Sequence, residues 1–334
     1  MCAQDPFRRR RAIETRAGRD EEHQPHTPLG SGAEFDAIRR ILERWGPRAR
    51  RIGDDAAVLT SLGDRALVVS TDTSIENVHF RSEWLSPQEI GFRATAAALS
   101  DLAAMGATPL GILAALAVPG SWRPRLEQIT DGIGDAAAYA NASIIGGDMS
   151  RAGELAITIT VLGAARHALF RTSARPGDRI YVTGRFGGPL CALRDFMAGK
   201  EPSPEHRQRF ARPLPRIAES EWLSEHGATA AIDVSDGLGA DLTHLAAASR
   251  VCLKVQLDRL PVVEGVSQVD AAGSGEEYEL IVTGPARIAT SEFTDRFNLE
   301  LTEIGRVEHG SPEVRFFLRE EQIPAPPGYS HFLK

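Results

Sequence analysis

The chain is poor in cysteine and in aromatic residues, with three Cys and 6% Phe, Trp and Tyr among 334 residues. Cys2, Cys191 and Cys252 are far apart, odd in number and without C-x-x-C spacing, which excludes a disulfide framework and reads as reduced bystanders. No apolar run reaches the roughly 18 residues that a membrane-spanning helix requires. The first residues also lack the apolar stretch of a secretory signal, so a reducing cytoplasm is the expected compartment. Basic charge is short as well: 38 Lys and Arg against 45 Asp and Glu leave a net charge of −7. No overall basic surface is therefore expected to hold a nucleic-acid backbone. The familiar nucleotide signatures are missing too, with no G-x-x-x-x-G-K-[ST], no G-x-G-x-x-G opening a helix and no H-R-D paired with D-F-G. That excludes a P-loop protein and a protein kinase.

What is present suits two domains, since a typical domain takes about 150 residues. Residues 1–31 mix charges of both signs with Pro and Gly and predict a disordered extension. Arg8 to Arg11 in this tail could form a phosphate-binding arm, but Asp20, Glu21 and Glu22 follow closely and favour a solvated tail. From Glu34 onward Phe35, Ile38, Ile41, Leu42 and Trp45 recur at helical spacing. A strand is expected at Ala66–Ser70. Ser86, Pro87 and Glu89 form a capping-box start for a helix running to about Ala104. Strands at 111–118, 143–145 and 154–162, with a helix at 124–140, complete an N-terminal domain over 32–163. The C-terminal domain, 164–334, is expected to hold strands at 179–183, 230–232, 251–257, 278–283 and 303–307, and helices at 189–198, 215–225 and 238–249. Strands and helices do not alternate strictly, which favours an α+β (mixed α/β) fold over a doubly wound parallel sheet.

Acidic residues stand beside glycines or small hydroxyls at six places, read as strand ends and turns: Gly53-Asp54-Asp55, Ser70-Thr71-Asp72, Ser100-Asp101, Gly146-Gly147-Asp148, Asp233-Val234-Ser235-Asp236-Gly237 and Gly275-Glu276-Glu277-Tyr278-Glu279. Carboxylates and hydroxyls are the hard oxygen ligands that Mg²⁺ prefers, and glycine lets backbone N–H groups approach an anion. Converging acids would repel a nucleoside triphosphate unless divalent cations stood between them. Taken singly, Asp54, Asp72 and Asp148 read as turn formers, and Asp233 or Asp236 as a cap for the helix near Leu238. Asp101 is different, because an acid in the last turn of a helix opposes the macrodipole. Met105 reads as core.

Ile52-GDDAAV, Ser70-TDT with His79-Phe80, Leu99-SDLAAMGA, Gly146-GD, Ile232-DVSDGL, Gly275-EEYEL and the closing Gly328-Tyr329-Ser330-His331-Phe332 resemble, in this order and spacing, the thiamine-monophosphate kinases. These kinases belong to the aminoimidazole ribonucleotide synthetase-like superfamily. The resemblance implies the two-domain fold of that superfamily and a homodimer whose N-terminal domains pair their sheets into a β-barrel. It implies ATP-dependent phosphorylation of thiamine monophosphate to thiamine diphosphate, with no nucleic-acid or membrane partner. By the same resemblance Asp55, Ser70, Thr71, Asp72, Asp101, Asp148, Asp233 and Asp236 bind Mg²⁺, while Gly147, Asp148, Arg171 and Ser235 bind ATP. His79, Glu276 and Tyr329 hold thiamine monophosphate, and Asp101, Asp148 and Arg171 act in catalysis. Asn77 stands where the family usually has Gly, Met149 where Thr is usual, and Ser274 and Glu277 replace the common Gly and Asp. Another ATP-using enzyme of the superfamily and a catalytically weak nucleotide-binding regulator remain alternatives.

Overall fold

A computed structural model describes residues 27–46 and 52–329. Most of the expected N-terminal extension, with Arg8 to Arg11 and Cys2, and the closing Ser330-His331-Phe332 lie outside the described residues. The chain opens with α1 (Ala33–Trp45), close to its expected span, and continues through β1 (Ala57–Leu62), β2 (Arg65–Ile75), α2 (Pro87–Ala104), β3 (Thr108–Val118), α3 (Leu126–Tyr139), β4 (Ser143–Arg151) and β5 (Ala156–Ala165). The five strands form one sheet in the order β1-β2-β5-β3-β4, antiparallel except for the parallel pair β3–β4.

The second half holds β6 (Arg179–Thr183), α4 (Gly188–Met197), α5 (Pro204–Ala211), α6 (Ile217–Glu225), β7 (Ala230–Asp233), α7 (Leu238–Ser249), β8 (Cys252–Gln256), α8 (Gln268–Ala272), β9 (Leu280–Gly284), α9 (Thr290–Phe297), β10 (Leu301–Glu308), β11 (Glu313–Leu318) and β12 (Glu321–Ile323). Its seven-stranded sheet runs β12-β11-β8-β10-β6-β9-β7, with β8–β11 its parallel pair. Two mixed sheets with attached helices make this an α+β fold, as the irregular alternation of elements predicts.

The helix α2 links the halves. Its capping box forms as read: the Ser86 hydroxyl accepts from Glu89 N, the Glu89 carboxylate accepts from Ser86 N, and Pro87 occupies the first turn. Six alanines among its fourteen buried residues allow close packing on nearly every side. Against α3 the contact is backbone on backbone, because a Cβ on Gly132 would lie 1.9 Å from the Gln88 carbonyl oxygen. One core packs α2 and α3 on the first sheet and takes in Phe196 and Phe210 from α4 and α5. A second lies between the C-terminal sheet and α7. A third, built on Trp222, Phe293 and Tyr181, receives Ala103 and Ala104 from the end of α2. Met105, just beyond α2, is fully buried, as its core reading predicts. Because α2 is anchored in both halves, the Asp101 it carries faces both.

Candidate active site

Three of the expected acids converge. One carboxylate oxygen each from Asp55, Asp101 and Asp233 lies within 4.8 Å of the others. They come from the loop before β1, from the last turns of α2 and from the end of β7. Ser70 on β2 ties two of these segments together: its hydroxyl reaches Asp101 Oδ2 at 2.5 Å and the Asp55 carbonyl oxygen at 3.1 Å. Burial and then the neighbouring charges of Asp233 and Asp55 hold the Asp101 carboxyl well above the usual carboxylate range. Burial and Asp55 push Asp233 up to about 7. Asp54 is raised to about 6, first by burial and then by Asp55.

Asp55 is held in turn by Arg171, whose Nε and Nη2 donate to its two carboxylate oxygens at 2.6 and 2.5 Å. This is a two-pronged guanidinium–carboxylate pair. The Arg171 backbone N–H also donates to Asp54 Oδ1 at 3.1 Å. Burial works against the guanidinium charge, and the Asp55 carboxylate outweighs it, so Arg171 stays firmly protonated. Arg171, expected to touch the nucleotide, is thus engaged with an acid of the cluster and does not border the adjoining cavity.

That cavity, of about 680 Å³, is within the range of small-molecule sites. Thr71, Asp72, Asp101, Asp233, Ser235 and Asp236 line it, and so do His79, Glu276 and Tyr329. Residues expected for metal, nucleotide and substrate therefore share one space. Asp72 sits inside β2 rather than at its end, and its Oδ1 accepts from Thr73 N at 2.7 Å. Thr71 borders the cavity while its hydroxyl pairs with that of Thr160 on β5 at 3.0 Å. The Ile75 N–H donates to His79 Nδ1 at 3.1 Å, and Tyr329 N–H donates to the Asp236 carbonyl oxygen at 2.9 Å.

Gly147 and Asp148 are elsewhere. The short strand read at 143–145 runs on to Arg151, so both residues are internal to β4 instead of forming a turn. Asp148 aligns across the sheet with Ala115, Thr158 and Thr73. At about 4.8 Å per strand that row sets it roughly 14 Å from β2, and it is exposed and outside the cavity. A Cβ at Gly147 would lie 2.0 Å from the Ala114 carbonyl oxygen, so the β3–β4 contact alone requires glycine.

Neither Asp233 nor Asp236 caps α7, whose N-cap is Gly237 with no side-chain bond. That work falls to Asp241, which the sequence reading missed: its Oδ2 accepts from Gly237 N at 3.1 Å and Asp236 N at 3.3 Å. Burial and Asp236 raise the Asp241 carboxyl well above the usual range. Asn77 has φ 63, a left-handed backbone that Gly tolerates best and Asn next best, which explains the glycine usual there. Glu277 is buried, accepting from Gly187 N at 2.6 Å and pairing with Arg209 at 3.2 Å, and burial pushes it up to about 7. Met149 is exposed on β4.

The cluster gives a testable pH dependence. The carboxyls of Asp101 and Asp233 bind protons more tightly folded than unfolded, so without a cation their own contribution to stability is greatest at low pH. The cluster's contribution to stability is expected to fall as pH rises from 3.8 through about 7, the folded value for Asp233. Thermal melts of metal-free protein across this window check the sign, and excess Mg²⁺ is expected to reverse the trend.

Two family matches accompany this geometry: AIR synthase related protein, N-terminal domain, over residues 53–165, and AIR synthase related protein, C-terminal domain, over 175–316. Fold and site together define an AIR synthase related protein. The thiamine-monophosphate kinase of Salmonella typhimurium is 35% identical over 325 residues, covering 90% of this chain and 98% of the relative. That of Pyrococcus horikoshii is 33% identical over 307 residues, covering 89% and 96%. The solved structure of AaThiL complexed with AMPPCP and TMP superposes with a TM-score of 0.79 at 29% identity, covering 90% of this chain and 97% of that one. The chain belongs to the thiamine-monophosphate kinase family. The hydrogenase maturation protein HypE, at 20% identity and a TM-score of 0.69, shares the fold alone.

Proposed function

We propose that the protein transfers the γ-phosphoryl group of ATP to thiamine monophosphate, giving thiamine diphosphate, by direct in-line attack. The observation that carries this reading is the meeting of Asp55, Asp101 and Asp233 beside a cavity lined by His79, Glu276 and Tyr329, in a chain of this family. The donor set fits Mg²⁺: these are hard carboxylate oxygens, two of them on acids whose proton affinity is raised first by burial and then by the neighbouring carboxylates. Asp55, Asp101 and Asp233 would hold the ions, and Asp72 and Asp236 line the cavity together with Asp101 and Asp233. Several bound Mg²⁺ would supply charge neutralisation for two polyanions and align their reacting oxygens.

The protein's own groups do the rest. A phosphate monoester has a second pKa of about 6, so the acceptor is mostly dianionic at neutral pH and needs no general base. Ser70 orients Asp101, and Arg171 fixes Asp55 while offsetting part of the cluster's charge. Ser235 and Asp236 bound the nucleotide side, and His79, Glu276 and Tyr329 bind thiamine monophosphate. Gly147 and Asp148 lie on β4 outside the cavity of a single chain, so their expected part in holding ATP and Mg²⁺ would need the paired sheet of a second copy. Leu110, Leu113, Ile144, Ile145 and Met149 are exposed on the neighbouring strands β3 and β4, which supports a homodimer formed through this sheet. A reducing cytoplasm, where ATP is available, suits the unpaired Cys191 and Cys252.

Incubation with γ-labelled ATP, Mg²⁺ and thiamine monophosphate tests the reading. Label is expected in thiamine diphosphate and none on the protein. ATP binding without product would favour a nucleotide-binding regulator, and label retained on the protein would replace direct transfer with a two-step route.

A further inference from the structure

Arg93, on α2 eight residues before Asp101, is 4% exposed, yet none of the expected site roles uses it. A buried guanidinium needs a counter-charge and acceptors for its N–H groups. Arg93 finds them in two pieces of the cavity wall. Its Nη2 is pressed against the Glu276 carboxylate, a close ion pair rather than an aligned hydrogen bond. Its Nη1 donates to the Phe210 carbonyl oxygen at the end of α5, and its guanidinium lies 4.2 Å from the centre of the Phe210 ring. Phe210 and Glu276 both line the cavity, whereas Arg93 stands behind them and does not.

The loop bearing Glu276 is shaped around this contact. Glu276 and Tyr278 have φ of 59 and 51, left-handed conformations that cost an ordinary side chain about 1–2 kcal/mol each. Glu276 N–H donates to the Ser235 carbonyl oxygen at 2.7 Å and Tyr278 N–H to that of Val234 at 2.9 Å, docking the loop along the segment that follows β7. These bonds fix the backbone but leave the carboxylate to be aimed. Arg93 is the cation that meets it, and Glu276 keeps about a third of its side chain open toward the cavity, with 32% exposed. A carboxylate anchored from behind and open in front can face a second positive group. The thiazolium ring of thiamine monophosphate is such a group: its quaternary nitrogen offers no N–H, so charge and ring faces are the means of recognising it.

We propose that Arg93 is the positioning residue for the substrate's cationic ring, aiming Glu276 into the cavity without touching substrate itself. This rests on the proposed kinase function and deepens it, because the same guanidinium ties the substrate wall to the helix that carries Asp101.

The test uses the full-length protein with Arg93→Lys, Glu276→Gln and the double variant, measuring KM for each substrate and kcat. For Arg93→Lys we expect KM for thiamine monophosphate to rise about tenfold, KM for ATP to stay within about twofold and kcat within about threefold. Because Arg93 acts through Glu276, the double variant is expected to match Glu276→Gln alone. An unchanged KM for thiamine monophosphate, a parallel rise in KM for ATP or additive effects would overturn the assignment. Should Arg93→Lys not fold, Arg93→Gln/Glu276→Gln removes both charges together: a KM equal to that of Glu276→Gln supports the role, and a further rise overturns it. Failure of the wild-type protein to make thiamine diphosphate would instead refute the kinase reading, so the two failures are distinct.

Discussion

Replacing Asp101 with Asn is expected to lower kcat by about 10³-fold or more while leaving the fold intact. The size follows from position: Asp101 shares the cluster with Asp55 and Asp233 and accepts from Ser70 at 2.5 Å, so in the proposed reading it would hold the Mg²⁺ that neutralises the transferring phosphoryl group. The fold is expected to survive because Asn keeps the shape and the Ser70 contact while removing one of the crowded charges. Metal-free Asp101→Asn is therefore expected to melt at the same temperature as the wild type or higher. Turnover within a few-fold of wild type would remove Asp101 from the site, and a collapsed melting temperature would make it a structural acid instead.

The second large effect concerns Arg171. Breaking a buried ion pair from one side leaves a charge without its partner and costs about 3–5 kcal/mol. Asp55 has 1% of its side chain exposed against 16% for Arg171, so Arg171→Met strands a buried carboxylate already close to Asp101 and Asp233. A melting temperature lower by roughly 5–10 °C is expected in the absence of metal. Arg171→Met/Asp55→Asn is expected to recover most of that stability without recovering phosphoryl transfer, which separates holding the cluster from using it. A single variant that melts within about 1 °C of wild type would mean that solvent or rearrangement already satisfies Asp55.

The parts of this molecule that were legible in the sequence are those written locally. The start of α2 was readable because Ser86, Pro87 and Glu89 form a self-contained cap, and β6 because Arg179–Thr183 is short, apolar and β-branched. β1 escaped notice because Ala57–Leu62 follows the acidic turn directly and its pairing with β2 is what makes it a strand. β4 looked too short because Gly146-Gly147 reads as a break, whereas the parallel register with β3 carries the strand through a bulge to Arg151. α5 was invisible for another reason: Pro204–Ala211 is mostly polar, and its helix is stabilised by the Ser203 cap and by the Arg207 and Arg209 pairs with Glu89 and Glu279.

The same division holds at the site. The acids stand out in the sequence by type and spacing, and the family resemblance adds their metal-binding role, but only the structure shows that Asp55, Asp101 and Asp233 converge. Their supports do not stand out, because Arg171 and Asp55 are 116 positions apart and nothing local marks either as the other's partner. Asp241 reads as one more polar residue of a helix until its carboxylate is seen holding the Asp236-Gly237 backbone. Nor does a resemblance to aligned motifs say which strands are neighbours, and the order of the first sheet separates Asp148 from β2.

The central claim, that these acids gather Mg²⁺, is tested most directly by proton release. At pH 6 Asp233, with its value of about 7, still holds a proton that a metal must displace, and the raised proton affinity of Asp101 acts in the same direction. Mg²⁺ titrated into weakly buffered, metal-free protein is expected to release protons saturably, and to release far fewer from Asp101→Asn/Asp233→Asn. A wild-type protein that releases none, and whose melting temperature ignores Mg²⁺, would contradict the account.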